Sequence, residues 1–282
     1  MTSLSNLKIS FIGGGNMASA LIGGLLHQGA QASNIYVADP FEGTRERLKT
    51  EFKVLSKESI SALSAQIQTS NVLVLAVKPQ QFKEAATELK PVLETSTNKP
   101  LCLSVAAGIR TQDMARWLNH QRLIRAMPNT PALIGQGMTG LFASKEANKE
   151  DQMHAESICS AVGKITWVSD EKQIDDITAV SGSGPAYVFA FLEALENAGI
   201  AQGLHPDQAR LLAIQTVQGA ASLAAQSSEP PSVLREKVTS KGGTTYAALQ
   251  VLEKESWAEI MAKAIKAASA RGAEMGDEFS RQ

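Results

Sequence analysis

The chain has 282 residues but only two cysteines, Cys102 and Cys159, and it lacks long apolar runs. The cysteines form neither a CxxC pair nor the framework of a disulfide-rich protein, which favours a reducing compartment such as the cytoplasm. The longest apolar runs, such as NVLVLAV at residues 71–77, are far shorter than the about 20 residues of a membrane-spanning helix. The first residues, MTSLSNLK, lack the basic and apolar regions of a signal peptide. We therefore expect a cytoplasmic protein with no membrane partner.

The sequence also lacks an excess of charge. It has 27 basic and 28 acidic residues and a net charge of -1, with both signs mixed throughout. Such a balance provides no field that would attract a nucleic acid, so we expect a small-molecule or protein partner. The four histidines, His27, His120, His154 and His205, have no metal-ligand spacing, and no GxSxG motif is present. These absences disfavour a metal site and serine-hydrolase chemistry.

Apolar segments alternate with amphipathic segments in the first part of the chain. This alternation predicts parallel strands joined by helices, and therefore an open, doubly wound, mostly parallel sheet. From Asp170 onward no strand pattern occurs, and segments rich in alanine and leucine predict helices. We therefore expect an α/β domain at residues 1–168 and an all-helical domain at residues 169–282. The predicted strands are 8–12, 34–40, 71–79, 101–108 and 122–131, and the predicted helices are 17–26, 44–52, 81–93, 187–197, 206–225 and 257–275.

The stretch GGGNMA, after the first predicted strand, has the GxGxxA spacing of a dinucleotide-binding turn at Gly13, Gly15 and Ala18. Gly13 permits a sharp turn, Gly15 lets the backbone approach a pyrophosphate, and the small Ala18 lets the helix pack closely on the strand. Glycine turns of other α/β proteins share this spacing, but here the motif follows a strand, opens a helix and precedes an acidic residue that ends the next strand. We therefore predict that NADPH or NADH binds here.

Asp39 is that acidic residue, and its role bears on the choice of cofactor. A carboxylate at this position typically accepts hydrogen bonds from the ribose hydroxyls of NAD, and the 2′-phosphate of NADP would meet a like charge. Arg45 and Arg47 follow closely, however, and either is long enough to reach a phosphate. Asp39 can also simply cap the loop before Pro40. The sequence leaves the choice between NADPH and NADH open.

Two further strands end in residues that suit a flat cofactor. AVKP at residues 76–79 and VAAG at residues 105–108 place small or ring-bearing residues at the carboxyl edge of the sheet, where such folds bind ligands. Lys78 can contact a phosphate or carboxylate there, although a lone lysine is as often a solvated loop residue. The predicted cofactor-binding residues are Ile12, Gly13, Gly14, Gly15, Asn16, Met17, Asp39, Ala76, Val77, Lys78, Pro79, Val105, Ala106 and Ala107.

Three further motifs are unusual together, namely RAMPNTPALIGQGMTGL at residues 125–141, AVSGSGPAYVF at 179–189 and VTSKGGTTYAAL at 238–249. With FIGGGNMA and LAVKP, they resemble the pyrroline-5-carboxylate reductase family over about residues 8–271. The resemblance implies a Rossmann-like domain followed by a helical dimerisation domain, and homodimers that assemble into a ring, the homodecamer. It also implies that NADPH or NADH transfers a hydride to the ring imine of (S)-1-pyrroline-5-carboxylate and yields L-proline, in the last step of proline biosynthesis.

The turn SKGGTT is the predicted substrate site. Two glycines before a predicted helix expose backbone N–H groups that favour the substrate carboxylate, although the same turn can be a simple helix cap. By the resemblance, Thr245 is the catalytic residue, because it directs its hydroxyl to the ring nitrogen and helps to protonate it. The family usually has Ser-Pro-Gly-Gly where this chain has Lys241 in place of proline. The predicted substrate-binding residues are Glu171, Ser181, Ser240, Gly242, Gly243, Thr244 and Thr245.

Two of these residues have structural alternatives. Ser181 lies in a segment that faces the substrate pocket in the family, but it or Ser183 can instead cap the helix that begins near residue 185. Glu171 matches a family carboxylate close to the ligand, where it would offset a protonated ring nitrogen, but it can also be a solvated surface residue. We expect Asn129 of MPNTP to bond loop amides and to shape the floor of the pocket.

Two rival functions share parts of this pattern. A 3-hydroxyacid dehydrogenase also has a nucleotide domain followed by a helical one, but it uses a helix-borne lysine as general acid or base. The lysines of this chain lie mostly in linkers or on charged faces. A non-catalytic NAD(P)-sensing protein would keep the fold, bind the cofactor and turn nothing over. The motifs favour the reductase over both.

Overall fold

A single β-sheet organises the first part of the chain. The computed structural model describes residues 4–281, and in these residues eight strands form one sheet. The strands are β1 (Ile9–Ile12), β2 (Ile35–Ala38), β3 (Leu55–Lys57), β4 (Val72–Leu75), β5 (Leu101–Ser104), β6 (Leu123–Met127), β7 (Gly137–Ala143) and β8 (Gly163–Trp167). Most strands are short, with three to five residues, and those in the middle of the sheet, such as β1, β4 and β5, are fully buried.

The sheet is doubly wound and mostly parallel, as the sequence predicted. Its strand order is β3-β2-β1-β4-β5-β6-β7-β8. The first six strands in this order pair in parallel, β7 is antiparallel to β6, and β8 is parallel to β7. The order 3-2-1-4-5-6 is that of a dinucleotide-binding sheet, in which the winding reverses between β1 and β4.

Helices join the strands and make up the chain after β8. Proline is the first residue of three of them, where its missing N–H leaves no hydrogen bond unmade. The predicted helices are confirmed, with ends displaced by a few residues. The helices of the described residues are α1 (Asn16–His27), α2 (Glu42–Phe52), α3 (Ser64–Thr69), α4 (Pro79–Thr95), α5 (Thr111–Leu118), α6 (Lys149–Cys159), α7 (Gln173–Ile177), α8 (Gly184–Ala201), α9 (Pro206–Gln226), α10 (Pro231–Lys237), α11 (Thr244–Lys254) and α12 (Trp257–Ser280).

Both faces of the sheet are covered, which fixes the position of β1. Successive residues of a strand point to opposite faces. Phe11 packs in one hydrophobic cluster with Leu21 of α1, whereas Ile12 packs in a second cluster with Phe82 of α4. Each of these side chains is at most 2% exposed, and full burial of such a side chain contributes about 1.5–3 kcal/mol. The end of β1, which carries the glycine-rich turn, is therefore rigidly held.

Three strands of the sheet were not predicted from the sequence. No strand was expected between residues 131 and 168, but β7 and β8 extend the sheet there. The sequence of β7, GMTGLFA, follows two prolines and contains two glycines, which weaken a strand signal. Pairing with β6 forms this strand, from Met127 opposite Gly140 to Ile124 opposite Ala143. The third missed strand, β3, has only three residues.

The chain divides into two compact units at positions that differ from the predicted boundary at 168. Residues just after 168 stay with the sheet because of Arg125 in β6, whose side chain is 2% exposed. Its guanidinium pairs with Glu171 at 3.5 Å and with Asp175 of α7 at 3.1 Å. The first unit is Met1–Ser183 with Ala268–Gln282, and the second is Gly184–Ala267.

The end of α12 also belongs to the first unit. Phe279 is 7% exposed and lies in the hydrophobic cluster that contains Ile12 and Phe82. Asp277 pairs with Arg110 at 2.7 Å. The last helix therefore completes the core of the sheet-containing unit.

The second unit consists of helices alone and buries few of its side chains. Among residues 184–267, all of which the structure describes, the buried residues are Ala209 and Ala213 of α9. Large apolar side chains stay exposed, including Phe189 at 65%, Leu211 at 67% and Val251 at 60%. Exposed large apolar side chains are typical of interaction surfaces.

The two cysteines are free and buried. Burial raises the pKa of the Cys159 thiol to about 12, and burial likewise raises the pKa of Cys102. Both thiols are therefore structural rather than nucleophilic. Among residues 4–281, no helix is both long enough and apolar enough to span a bilayer.

Candidate functional site

The carboxyl ends of β1, β2 and β4 form the edge at which the strand order reverses. The Gly13 N–H donates to the Ala38 carbonyl at 2.8 Å, and the Ala76 N–H donates to the Ile12 carbonyl at 2.8 Å. These bonds continue the ladder by one residue beyond the strands, so the three strand ends emerge side by side. Doubly wound sheets bind their ligands in the crevice outside this point.

Gly13 lies where a side chain does not fit. Its φ is +94°, and a Cβ atom on it would lie 2.7 Å from the Ala76 carbonyl oxygen. Gly15, the residue before α1, has no atom within 4 Å of the place where its Cβ would be. The start of α1 is therefore open to a ligand, and the helix dipole and free N–H groups there favour an anion such as a pyrophosphate.

A cavity of about 370 Å³ opens at this edge. This volume lies in the range of pockets that hold small molecules and cofactors. Half of the predicted cofactor-binding residues line it, namely Ile12, Gly13, Gly15, Asp39, Ala76, Val77 and Lys78. The other half lies outside its lining, namely Gly14, Asn16, Met17, Pro79, Val105, Ala106 and Ala107. The geometry fits a dinucleotide, and the roles of the individual residues stay predictions.

The residues outside the lining still belong to the same edge. Gly14 lies between two lining residues, and Asn16 begins α1. The Val105 N–H donates to the Leu75 carbonyl at 3.1 Å, so the segment after β5 emerges next to the segment after β4. A ligand longer than the cavity would reach this segment along the strand ends.

Asp39 both lines the cavity and holds the glycine-rich turn. Its side chain is 6% exposed. Oδ2 accepts a hydrogen bond from the Gly14 N–H at 2.8 Å, and Oδ1 accepts one from the Phe41 N–H at 2.9 Å. Asp39 therefore caps the loop that begins at Pro40, which was one of the two roles considered from the sequence. The remaining lone pairs of the carboxylate leave room for hydrogen bonds from ribose hydroxyls.

The two arginines that follow Asp39 bond to the protein itself. Arg45 Nη1 donates to the carbonyls of Asp39 at 2.9 Å and Pro40 at 2.8 Å. Arg47 Nη2 donates to the Gly14 carbonyl at 3.2 Å and to Ser19 Oγ at 2.9 Å. Neither side chain lines the cavity. Arg45 thus stabilises the loop after β2, and Arg47 stabilises the glycine-rich turn.

Several residues that line the cavity were not predicted from the sequence. The segment after β3 and one face of α4 contribute most of them, including three glutamates. The Ser61 N–H donates to Glu88 Oε1 at 3.2 Å, which ties these two segments together. No motif marks them, because charged residues in a helix usually indicate a solvated face. The missed residues are Ala38, Pro40, Phe41, Thr44, Glu58, Ser59, Ile60, Gln81, Glu84, Ala85 and Glu88.

The predicted substrate turn lies in the second unit, at the start of α11. Gly242 has φ +74°, and Gly243 is the residue before the helix. Thr244 and Thr245 are its first two residues, and both are exposed. The Gly243 N–H donates to the Ser240 carbonyl at 3.0 Å, which closes the turn. The turn thus has the helix N-terminus that the sequence predicted, and its contact with substrate stays a prediction.

Ser181 lies in a π-helical turn, Thr178–Gly182, that joins α7 to α8. Asn129 Nδ2 donates to the Ser181 carbonyl at 3.1 Å and to its Oγ at 3.3 Å. Asn129 Oδ1 accepts the Met138 N–H of β7 at 2.8 Å. Asn129 therefore fastens the π-helical turn to the sheet. Such turns often occur at functional sites.

Glu171 is engaged within the first unit. Its carboxylate accepts hydrogen bonds from the Thr111 N–H at 2.7 Å and from Thr111 Oγ1 at 2.6 Å. Arg125 lies 3.5 Å away, and the Glu171 side chain is 21% exposed. Glu171 thus fixes the start of α5, and the alternative of a solvated surface residue is wrong. A contact with the ligand stays a prediction.

No cluster of three or more potential metal ligands occurs among residues 4–281. The histidines considered above do not converge. Burial lowers the pKa of His120, whose Nε2 lies 2.8 Å from the Pro100 carbonyl, and burial also lowers the pKa of His154. Both are therefore neutral packing residues at neutral pH.

Models of two protein families match the chain. The model described as pyrroline-5-carboxylate reductase dimerisation matches residues 171–275. The model described as NADP oxidoreductase, coenzyme F420-dependent, matches residues 8–108. The second match contains the whole of the glycine-rich turn and the strand ends around the cavity.

Individual relatives are similar over almost the whole chain. A pyrroline-5-carboxylate reductase of Pseudomonas aeruginosa is 40% identical over 277 residues, which are 98% of this chain and 99% of that protein. The structure of a pyrroline-5-carboxylate reductase from Coxiella burnetii has a TM-score of 0.89 and 41% identity, and covers 95% of this chain and 98% of that one. The Plasmodium falciparum enzyme, crystallised with NADP bound, has a TM-score of 0.82 and 29% identity, and covers 96% of this chain and 99% of its own. The chain therefore belongs to the pyrroline-5-carboxylate reductase family.

Proposed function

We propose that the chain reduces the ring C=N bond of (S)-1-pyrroline-5-carboxylate with NAD(P)H and yields L-proline, in the last step of proline biosynthesis. The observation that carries the proposal is the cavity beside Gly13 and Gly15, in a chain of this family. The relative that was crystallised with NADP supports this class of cofactor. The reaction would take place in the cytoplasm, a reducing compartment that suits the free thiols of Cys102 and Cys159.

The first unit holds and orients the cofactor. The open start of α1 binds the pyrophosphate, and Asp39 accepts hydrogen bonds from the adenosine ribose. The small residues Ala76, Ala106 and Ala107 let the rest of the cofactor lie flat along the strand ends. The bound cofactor supplies the hydride, so the protein needs no nucleophile of its own.

The turn before α11 holds the substrate. The backbone N–H groups that follow Gly242, at the positive end of the helix dipole, bind the ring carboxylate. Thr245 bonds the ring nitrogen and keeps a proton there. As the imine carbon accepts the hydride, the electron pair of the C=N bond passes to this protonated nitrogen, and the secondary amine of proline results. Lys241 adds a positive charge beside the carboxylate.

The kinetic test measures the oxidation of NADH and of NADPH, in parallel, with pyrroline-5-carboxylate as substrate. A second assay measures the reduction of NAD+ and of NADP+ with a 3-hydroxyacid as substrate. We expect turnover of the cyclic imine with at least one cofactor and the appearance of stoichiometric proline. Turnover of the hydroxyacid alone would instead identify a dehydrogenase. Cofactor binding without turnover of either substrate would identify a sensing protein.

We further propose that the second unit forms a homodimer, and that dimers assemble into a larger ring. The exposed apolar side chains of α8, α9 and α11 support this proposal, as does the match to a dimerisation model. In sedimentation velocity we expect dimers or larger species, and Leu211→Glu should release monomers with reduced activity, because it puts a charge into an apolar interface. Gln226→Glu, at the end of the same helix, is the matched control. A fully active wild-type monomer would contradict the proposal.

A further inference from the structure

The cavity at the β1–β4 edge has an unequal distribution of charge. Four carboxylates line it, from Asp39, Glu58, Glu84 and Glu88. The single cationic side chain in its lining, within the described residues, is Lys78. A polyanionic ligand such as a dinucleotide must therefore be placed so that its phosphates avoid most of this surface.

The order of the strands separates Lys78 from Asp39 and Glu58. Lys78 follows β4, whereas Asp39 follows β2 and Glu58 follows β3. In the strand order β3-β2-β1-β4, the ends of β2 and β4 lie two strand spacings apart, which is about 10 Å. On α4, which begins after Lys78, Glu88 accepts the Ser61 N–H from the segment after β3, whereas Glu84 lies one turn closer to Lys78.

A bound dinucleotide would place its adenosine on the acidic side. Its pyrophosphate lies at the start of α1, and the adenosine ribose reaches the end of β2. Lys78 is therefore on the side of the pyrophosphate. The 2′-position of the ribose would then lie next to Asp39, and Glu58 follows the neighbouring strand, where the Asp39 N–H donates to the Lys57 carbonyl at 3.0 Å.

The Asp39 carboxylate is held in place by hydrogen bonds. Each of its two oxygens takes a backbone N–H, from Gly14 and from Phe41, and the side chain is 6% exposed. This fixed carboxylate can accept hydrogen bonds from ribose hydroxyls. A 2′-phosphate has a charge of about -1.5 to -2 at neutral pH and would face a fixed like charge.

The neighbouring arginines do not compensate for this charge. Arg45 Nη1 donates to two backbone carbonyls, and Arg47 Nη2 donates to the Gly14 carbonyl and to Ser19 Oγ of α1. Neither guanidinium lines the cavity. These bonds hold Nη1 of Arg45 and Nη2 of Arg47 on the protein rather than in the cavity.

We infer that this cavity selects NADH over NADPH, with Asp39 and Glu58 as the residues that reject the 2′-phosphate. The inference rests on the proposed use of NAD(P)H and names the member of that class. It assigns Glu58 a role in specificity through charge, without a hydrogen bond to the cofactor.

The test is a fluorescence titration of the full chain with NADH and with NADPH, in the absence of substrate. We expect the Kd for NADPH to exceed that for NADH by about tenfold or more at low salt, and the ratio to shrink at high salt as the charges are screened. Equal affinities, or tighter binding of NADPH, would overturn the inference.

Variants locate the source of the selectivity. Glu58 is exposed, so its replacement does not threaten the fold. Glu58→Gln should strengthen NADPH binding about two- to fivefold and leave NADH binding unchanged, and Glu58→Lys should do so by more. Glu46→Gln, which removes the same charge from a residue of α2 outside the lining, is the matched control and should change neither affinity. If Glu58→Gln leaves the ratio unchanged, Glu58 has no such role.

Arg45→Gln tests the opposite assignment. A selective loss of NADPH affinity in this variant would show that Arg45 leaves its carbonyls to bind the 2′-phosphate, and would overturn the inference. Because these titrations need no turnover, they are independent of the proposed reaction. Preference for NADH in a chain that does not reduce the cyclic imine would refute the reaction alone, and imine reduction with NADPH bound as tightly as NADH would refute the selectivity alone.

Discussion

Gly13→Ala is expected to lower the free energy of unfolding by about 3 kcal/mol and to abolish measurable binding of NADH. Two effects add at this position. A residue with a side chain is strained at φ +94°, and its Cβ would lie 2.7 Å from a backbone oxygen of the next strand, which cannot move aside like the end of a flexible side chain. Relief of this clash pushes the turn away from β4 and displaces the start of α1. Urea unfolding and fluorescence titration measure the two losses.

Two further glycine variants separate the loss of stability from the loss of binding. Gly15→Ala meets no atom within 4 Å, so it should leave the unfolding midpoint almost unchanged and still weaken cofactor binding, because the new methyl group stands where the pyrophosphate approaches. Gly43→Ala, in the first turn of α2, also meets no atom and should change stability by less than about 1 kcal/mol and binding not at all. A stable Gly13→Ala protein that binds NADH normally would show that the cofactor does not use this turn.

Thr245→Val is expected to lower kcat roughly ten- to a hundredfold and to leave the Kd for the cofactor unchanged. The loss corresponds to about 1–3 kcal/mol, which is the value of one hydrogen bond to a charged or buried group. Valine has the shape of threonine, and Thr245 is exposed at the start of α11, so the fold should tolerate the change. Steady-state kinetics with pyrroline-5-carboxylate, together with a binding titration, provide the measurement.

Two control variants show whether the hydroxyl of Thr245 itself is needed for turnover. Thr245→Ser keeps the hydroxyl and should retain most of the activity. Thr239→Val removes a hydroxyl that donates to the Arg235 carbonyl in the same unit, and should leave kcat unchanged. If Thr245→Val turns over as fast as the wild type, Thr245 has no part in the chemistry.

The cofactor edge could be predicted because its determinants are local in sequence. An apolar strand, a glycine turn and an amphipathic helix follow one another within residues 8–26, and each imposes its own conformation. Gly13 shows this directly, since the turn requires a positive φ that glycine alone adopts at little cost. The strand order and the switch point then follow from the alternation of strands and helices.

Features made by distant segments could not be predicted in this way. The strand β7 exists because β6 pairs with it, and its own glycine-rich sequence is a weak signal. The sequence predicted that Asn129 bonds backbone amides, but not its partners Ser181 and Met138, which the fold brings to it from two other elements. The acidic lining is a similar case, because Glu58 and Glu88 look like solvated surface residues until β3 and α4 meet at one cavity.

The position of the last helix also affects how the chain folds during its synthesis on the ribosome. Residues 268–280 of α12 belong to the compact unit of the sheet, where Phe279 fills its core and Asp277 pairs with Arg110. A ribosome makes the chain from its N-terminus, and domains usually fold in that order. Here the nascent sheet emerges early but stays without part of its core until the helical unit has also been translated. Its cotranslational folding therefore cannot finish before residues 268–280 have left the ribosome.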